Sequence, residues 1–85
     1  MIQTVGVIGA GQMGQGIAQV LACASINVCL VDLSEQALDS ALLTTSNSVA
    51  KLQEKGKLNA AINPLPFIQT STDMQLLADC DLVIE

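Results

Sequence analysis

A glycine-rich segment near the start of the chain has residue types and spacing suited to binding phosphate. Gly9, Gly11 and Gly14 form a Gly-x-Gly-x-x-Gly pattern between a short apolar run and a segment with helical periodicity. The first glycine of such a pattern allows a tight turn, the second lets the main chain approach a phosphate, and the third allows close packing of helix on strand. The N-terminus of the helix then offers unpaired N–H groups to an anion. The predicted phosphate site comprises Gly9, Ala10, Gly11, Gln12, Met13 and Gly14.

An acidic residue after the next apolar run makes the interpretation more specific. Residues 28–31 form that run, and Asp32 follows it, 18 residues after Gly14. The dinucleotide-binding pattern places an acid about 20 residues after the glycines, where its carboxylate binds the ribose hydroxyls of NAD. The same carboxylate would repel the additional phosphate of NADP. We therefore predict that the chain binds NAD through Asp32, while a solvated or helix-capping Asp32 remains the alternative.

The composition limits the classes of function. The chain has 85 residues, a formal net charge of −5, and no His, Trp or Tyr, so we expect one small domain and no nucleic-acid partner. Its apolar runs are too short for a membrane span and no signal peptide is visible, which predicts no membrane partner and a cytoplasmic or equally reducing location. The three cysteines lack metal-ligand spacing, so we predict buried free thiols and no metal site.

The periodicity predicts an α/β fold of alternating strands and helices. Strands are expected near residues 4–8, 28–31, 67–70 and 81–84, and helices near residues 12–24, 35–55, 58–62 and 74–78. Right-handed crossovers then give an incomplete, Rossmann-like, doubly wound parallel sheet of order 3-2-1-4, with a helical hairpin after strand 2. The apolar residues of the first helix recur at helical spacing, at Met13, Ile17, Val20, Leu21 and Ala24. We expect Asn27 to take the left-handed conformation after that helix.

All three basic residues, Lys51, Lys55 and Lys57, lie at the end of the long second helix. Cations there complement the helix dipole, so the cluster has a structural explanation. It is also the only positive patch in an acidic chain, and such a patch would attract a second phosphorylated ligand. The residues alone leave both explanations open.

Taken together, these segments resemble the 3-hydroxyacyl-CoA dehydrogenase family. The resemblance covers the whole chain and rests on residues 5–20 with the glycine pattern, on Asp32, on residues 55–58 (Lys-Gly-Lys-Leu) and on residues 79–85 (Asp-Cys-Asp-Leu-Val-Ile-Glu). The bacterial 3-hydroxybutyryl-CoA dehydrogenases are the most similar branch. Ser25 departs from the glycine that relatives often have, and Pro64 and Pro66 alter a loop.

The resemblance implies specific roles. Residues 9–14 would hold the pyrophosphate of NAD, Asp32 the adenosine ribose, and Ser48 and Lys55 the CoA part of an acyl-CoA substrate. The reaction implied is the reversible oxidation of an (S)-3-hydroxyacyl-CoA to the 3-ketoacyl-CoA by hydride transfer to NAD, in fatty-acid or butanoate metabolism. The family's catalytic base is a His held by a Glu, and no catalytic residue is assigned here, because the chain contains no His.

By the same resemblance, residues 1–85 would be the N-terminal portion of an NAD-binding domain. The helical domain that completes the substrate site, and that makes the parent protein a homodimer, would follow it. Two alternatives stay open: a β-hydroxyacid dehydrogenase that acts on free acids, and a non-catalytic nucleotide-binding remnant like the crystallins related to this family.

Overall fold

Strands and helices alternate along the chain, which a computed structural model describes over residues 3–85. The elements are β1 (Thr4–Ile8), α1 (Gln12–Cys23), β2 (Asn27–Val31), α2 (Glu35–Glu54), β3 (Ile68–Ser71) and β4 (Leu82–Ile84). Two 3-10 helices, Leu65–Phe67 and Met74–Asp79, precede β3 and β4. The strands form one parallel sheet in the order β3-β2-β1-β4. The predicted fold class and strand order are confirmed.

The core lies between the sheet and the two α-helices. Val5 of β1 pairs with Val28 of β2 and with Leu82 of β4. Because side chains alternate along a strand, every second residue of β1 and β2 points toward the helices, and small or branched residues of α1 and α2 pack on them. The buried cluster consists of Val5, Val7, Ala10, Ala18, Val28, Leu30, Leu38 and Ala41.

The opposite face of the sheet is covered by the 3-10 helix before β4. Gly6 of β1 lies under this helix, and a Cβ built on Gly6 would overlap Leu77 Cδ2 and lie 3.1 Å from Cys80 Sγ. The segment therefore packs directly on the backbone of β1. The short helix predicted over residues 74–78 is present as a 3-10 helix capped by Asp73, whose side chain accepts from the Gln75 N–H.

The apolar spacing of α1 matches its packed face only in part. Ile17 and Leu21 pack against the core, as the spacing indicates, whereas Met13 and Val20 are 78% and 69% exposed. The buried residues of α1 are Gln15, Ala18 and Ala22. Small side chains such as these alanines let the helix approach the sheet closely, which apolar spacing does not measure.

The left-handed residue after α1 is Ser25, with φ of 63°, and the expectation for Asn27 was wrong. The Ile26 N–H donates to the Leu21 carbonyl (3.0 Å) and the Ser25 N–H donates to the Ala22 carbonyl (2.9 Å). These two bonds are the Schellman arrangement, which places the left-handed residue directly after the C-cap. Asn27 is thereby left extended, as the first residue of β2.

The ends of α2 agree with prediction. The Ser34 hydroxyl accepts from the Ala37 N–H (3.1 Å), and Gly56 follows the helix with φ of 74°. The predicted returning helix over residues 58–62 is absent: this segment forms turns, in which Asn59 Oδ1 accepts from the Ala61 N–H (2.8 Å). Gln53 Nε2 donates to the Ile62 carbonyl (2.8 Å), and this hydrogen bond connects the segment to α2. The hairpin after β2 therefore has only one helical arm.

Asp81 joins the start of β4 to the start of β1. Its carboxylate accepts from the Gln3 N–H (2.9 Å) and the Thr4 N–H (3.0 Å), and its own N–H donates to the Thr4 carbonyl (2.8 Å). The bonds from Gln3 and Thr4 hold the pKa of Asp81 below its usual value, because they stabilise the charged form. The carboxylate thus fixes where β4 begins.

The three cysteines are free thiols, as predicted, but the predicted burial holds for Cys29 alone among them, since Cys23 and Cys80 are half-buried. Within residues 3–85, no group of Cys, His, Asp and Glu could hold a metal ion. Burial, followed by the neighbouring Cys29 thiol and the charges of Asp79 and Asp81, raises the pKa of Cys80 to about 11. None of the helices between residues 3 and 85 is both long and apolar enough to cross a membrane.

We expect Cys80 to resist alkylation in the folded chain. With a pKa of about 11, only about one thiol in a thousand is ionised at pH 8, and the thiolate is the reactive form. Iodoacetamide at pH 8, followed by mass spectrometry, should modify Cys80 much more slowly in the native chain than in urea, and the native rate should rise as the pH approaches 11. Equal rates at pH 8 in buffer and in urea would contradict this environment for Cys80.

Candidate functional site

The turn between β1 and α1 presents the N-terminus of α1 at the carboxyl edge of the sheet. Gly9 has φ of 98°, in the region that favours glycine, and its N–H donates to the Val31 carbonyl at the end of β2 (2.7 Å). Gly11 is the N-cap of α1, and no side chain of residues 3–85 caps this end. The first N–H groups of α1 are therefore available to an anionic ligand.

Gly11 and Gly14 serve opposite steric purposes. A Cβ built on Gly11 would meet nothing within 4 Å, so the space beside the N-terminus of α1 is open. A Cβ built on Gly14 would overlap the Gly9 carbonyl oxygen and lie 3.5 Å from Val7 Cγ1. The third glycine thus allows α1 to pack on the turn, as the sequence predicted. The second glycine leaves room for a ligand to reach the main chain.

Asp32 is hydrogen-bonded to this turn. Its Oδ2 accepts from the Ala10 N–H (2.8 Å) and its Oδ1 accepts from the Ser34 N–H (2.9 Å). These bonds, first that of Ala10 and then that of Ser34, hold the pKa of Asp32 below its usual value, so the carboxylate is ionised at neutral pH. A carboxylate has about four lone-pair sites, and two are used here. The remaining sites can accept hydrogen bonds from a pair of ligand hydroxyls.

A cavity of about 310 Å³ lies over the turn, between the carboxyl ends of β1 and β4. Gly11, Gln12 and Gly14 line one side of it, and Ile84 and Glu85 line the other. In an open parallel sheet, ligands bind at the point where the strand order reverses, which here is the gap between β1 and β4. Met13 contributes to the wall of the cavity, and Asp32, which does not line it, is joined to the same turn by its hydrogen bond from the Ala10 N–H.

Ser48 and Lys55 lie apart from this site. Ser48 is half-buried on α2, where its hydroxyl oxygen accepts from Gln19 Nε2 (2.8 Å). Lys55 is the exposed C-cap residue of α2. Neither residue lines the cavity over the glycine-rich turn. The structure therefore brings the predicted phosphate and ribose residues together and places the two predicted CoA residues along a neighbouring helix.

Sequence reasoning missed the polar contacts between α1 and α2. Gln15 is 9% exposed, and its Nε2 donates to Thr45 Oγ1 and to Gln19 Oε1, both at 2.9 Å. The available signal was the spacing: Gln15 and Gln19 are four residues apart on the helix face that also carries Ala18 and Ala22. Two glutamines on a face of small residues indicate amides that pair within a helix interface.

The sheet order, the glycine-rich turn and the carboxylate after β2 define a Rossmann-type dinucleotide-binding domain. The sequence model of the family described as "3-hydroxyacyl-CoA dehydrogenase, NAD binding domain" matches residues 4–85. The chain belongs to this family, and NAD is its cofactor.

Individual relatives agree with the family assignment. The chain is 49% identical over 81 residues to a probable 3-hydroxybutyryl-CoA dehydrogenase of Deinococcus radiodurans, an alignment that covers 94% of this chain and 29% of that protein. It is 44% identical to the 3-hydroxybutyryl-CoA dehydrogenase of Bradyrhizobium diazoefficiens, covering 100% of this chain and 30% of that protein.

A solved structure of a relative agrees with the family assignment as well. The (S)-3-hydroxybutyryl-CoA dehydrogenase PaaH1 of Ralstonia eutropha superimposes with a TM-score of 0.92 at 40% identity, covering 98% of this chain and 30% of that one. The chain therefore spans a little under one third of the length of these relatives.

Proposed function

We propose that residues 1–85 supply the NAD site and part of the CoA site of an enzyme that reversibly oxidises (S)-3-hydroxyacyl-CoA to 3-ketoacyl-CoA. The observation that carries this proposal is the hydrogen-bonded pairing of Asp32 with the glycine-rich turn in a chain of the 3-hydroxyacyl-CoA dehydrogenase family. Relatives named as 3-hydroxybutyryl-CoA dehydrogenases favour an acyl-CoA over a free hydroxy acid as the substrate. Further parts of the proposal are a cytoplasmic location, a role in fatty-acid or butanoate metabolism and a homodimeric parent protein.

The described residues fit NAD by their chemistry. The uncapped N-terminus of α1 and the open space at Gly11 suit the pyrophosphate, and Asp32 has acceptor sites free for the ribose hydroxyls. NAD, when bound, takes up the hydride that leaves the substrate carbon. Asp32 would also repel the additional phosphate of NADP, so we propose a preference for NAD. The glycine-rich turn would hold the cofactor in place, while the general base would be a residue outside this segment, which contains no His.

A chimera tests the proposal. Residues 1–85 would replace the matching segment of the Ralstonia eutropha enzyme, which aligns with 98% of this chain. We expect the chimera to reduce acetoacetyl-CoA with NADH at a rate within about tenfold of the parent enzyme, a loss of about 1.4 kcal/mol in the barrier. A chimera that folds and binds NADH but does not reduce the substrate would instead support the non-catalytic, nucleotide-binding alternative.

Lys55→Ala in the chimera tests the CoA contact. A lysine bound to a phosphate group contributes about 1–2 kcal/mol, so the KM for acetoacetyl-CoA should rise about fivefold to thirtyfold while the KM for NADH barely changes. Lys57→Ala is the matched control, because it removes the same charge from a neighbouring exposed residue and should have a much smaller effect. Equal effects of Lys55→Ala on both KM values, or none, would remove Lys55 from the CoA site.

A further inference from the structure

A row of hydrogen-bonded side chains crosses from α1 to α2. Gln15 Nε2 donates to Thr45 Oγ1 and to Gln19 Oε1, both at 2.9 Å, and Gln19 Nε2 donates to Ser48 Oγ at 2.8 Å. Gln15 and Thr45 are 9% and 2% exposed, and Ser48 lies at the half-buried end of the row. The row therefore begins in the helix interface and ends at the hydroxyl of a half-buried residue.

The hydrogen bonds of this row run in one direction, from the Gln15 amide to the Ser48 hydroxyl oxygen. In this structure Gln15 Nε2 donates to Gln19 Oε1, and the Nε2 end of the Gln19 amide faces Ser48. Ser48 Oγ is consequently an acceptor in this bond, and it donates no hydrogen bond to any residue between 3 and 85. A serine hydroxyl carries one hydrogen, so that hydrogen is available to a group outside the described residues.

We propose that Gln19 is a positioning residue that makes Ser48 a hydrogen-bond donor toward the CoA part of the substrate. The inference rests on the proposed function, in which Ser48 contacts CoA. Ionised phosphate oxygens accept hydrogen bonds and do not donate them, and the amide carbonyls of the pantetheine arm also only accept. A Ser48 whose hydrogen were bound to Gln19 would present only lone pairs to these groups. The orientation of one amide in α1 thus decides whether Ser48 can donate a hydrogen bond to the phosphate and carbonyl oxygens of the ligand.

Two substitutions of Gln19 should weaken, to different degrees, the ability of the Ser48 hydroxyl to donate a hydrogen bond to the ligand. Gln19→Met removes the donor and adds no charge, so the hydroxyl loses its fixed orientation. Gln19→Glu keeps an acceptor for Gln15 and takes the Ser48 hydrogen, so Ser48 becomes an acceptor toward the ligand. With CoA as the probe, calorimetry on the chimera should give a Kd that rises about twofold to threefold for Gln19→Met and about tenfold for Gln19→Glu. The Kd for NADH should stay the same in both.

The same substitutions in a Ser48→Ala background separate positioning from other effects. Ser48→Ala alone should raise the Kd for CoA about threefold to tenfold. Gln19→Met should then have no further effect, because no hydroxyl remains to be oriented. Asn47→Asp adds a carboxylate at an exposed position next to Ser48, so it measures the effect of charge that Gln19→Glu brings with it. Ser48→Thr retains a hydroxyl and should recover most of the affinity.

The outcomes distinguish the inference from the proposed function. The inference would be overturned if the losses of CoA affinity caused by Gln19→Met and Ser48→Ala add in the double variant, or if NADH affinity falls in parallel. Either result would mean that Gln19 only holds α1 on α2. If Ser48→Ala leaves the Kd for CoA unchanged while Lys55→Ala raises it, Ser48 is not a contact, so the inference fails and the CoA site stands. If neither substitution affects CoA, the CoA part of the proposed function fails. Should Gln19→Glu not fold, the Gln19→Met cycle decides the question.

Discussion

Gly14→Ala is expected to unfold the chain or to abolish its binding of NADH. A Cβ at this position would overlap the carbonyl oxygen of Gly9, and neither atom belongs to a flexible side chain. The helix would have to move away from the turn, and overpacking of this kind costs about 1–3 kcal/mol even where side chains can adjust. A domain of this size has a free energy of unfolding of only about 0.05–0.15 kcal/mol per residue. The substitution should therefore remove a large part of the total stability.

Gly16→Ala is the matched control for this prediction. Gly16 lies two residues further along α1, and a Cβ there would meet nothing within 4 Å. Since alanine favours the helix over glycine by about 0.5–1 kcal/mol, Gly16→Ala should raise the free energy of unfolding by about that amount. The same replacement of glycine by alanine should thus lower the free energy of unfolding at Gly14 and raise it at Gly16.

Urea unfolding followed by circular dichroism measures both variants, and calorimetry with NADH measures binding. If Gly14→Ala unfolds at the same urea concentration as the wild type and binds NADH normally, the close contact between α1 and the turn is not required. If Gly16→Ala also destabilises the chain, the cost belongs to glycine replacement in α1 generally and gives no information about Gly14.

The glycine pattern predicted this part of the structure because each glycine has a local cause. Gly9 requires a positive φ, and Gly14 requires contact with a backbone atom only a few residues away. The strand order followed from the alternation of strands and helices, and the start of α2 followed from the cap at Ser34. These features depend on neighbours in sequence or on general rules of connection, so one sequence is enough to find them.

The features that prediction missed depend on partners distant in sequence. The buried face of α1 is decided by how closely a small side chain such as Ala18 lets the helix approach the sheet, which hydrophobic periodicity does not measure. The carboxylate of Asp81 binds the backbone of Thr4, 77 residues away, and Gln19 binds Ser48, 29 residues away. The residues that follow α2 form turns, and Gln53 binds the carbonyl of Ile62 there, where the apolar residues Leu58, Ala61 and Ile62 favoured a helix.

Asp32→Ala is expected to weaken NADH binding about a hundredfold. A hydrogen bond to a charged group contributes about 1.5–3 kcal/mol, and in the proposed NAD site the substitution would remove the acceptor of the ribose hydroxyls. It also frees the Ala10 and Ser34 N–H groups, which the carboxylate binds at 2.8 Å and 2.9 Å. Fluorescence titration of the chimera with NADH measures the loss.

The dependence of this binding on pH follows from the lowered pKa of Asp32. The pKa of Asp32 in the folded chain lies below its usual value because the Ala10 and Ser34 N–H groups stabilise the charged form, and the contribution of the carboxylate is lost only as the pH falls through that lowered pKa. NADH affinity should therefore be constant from about pH 5 upward, as far as Asp32 is concerned. A decline that begins near pH 6 would show that another group controls binding.

The comparison of NADH with NADPH separates two roles of Asp32. In the wild type, repulsion between the carboxylate and the additional phosphate should make NADPH bind at least about tenfold more weakly than NADH. If Asp32 acts on the ribose, Asp32→Ala should weaken NADH much more than NADPH and bring the two affinities close together. If Asp32 acts only by holding Ala10 and the glycine-rich turn, both cofactors should lose affinity by the same factor, because both carry the same pyrophosphate. Asp32→Asn removes the charge but retains one acceptor oxygen. If Asp32 acts on the ribose, Asp32→Asn should therefore lower the affinity for NADH less than Asp32→Ala does and should raise the affinity for NADPH. If Asp32 acts only by holding the turn, neither result is expected.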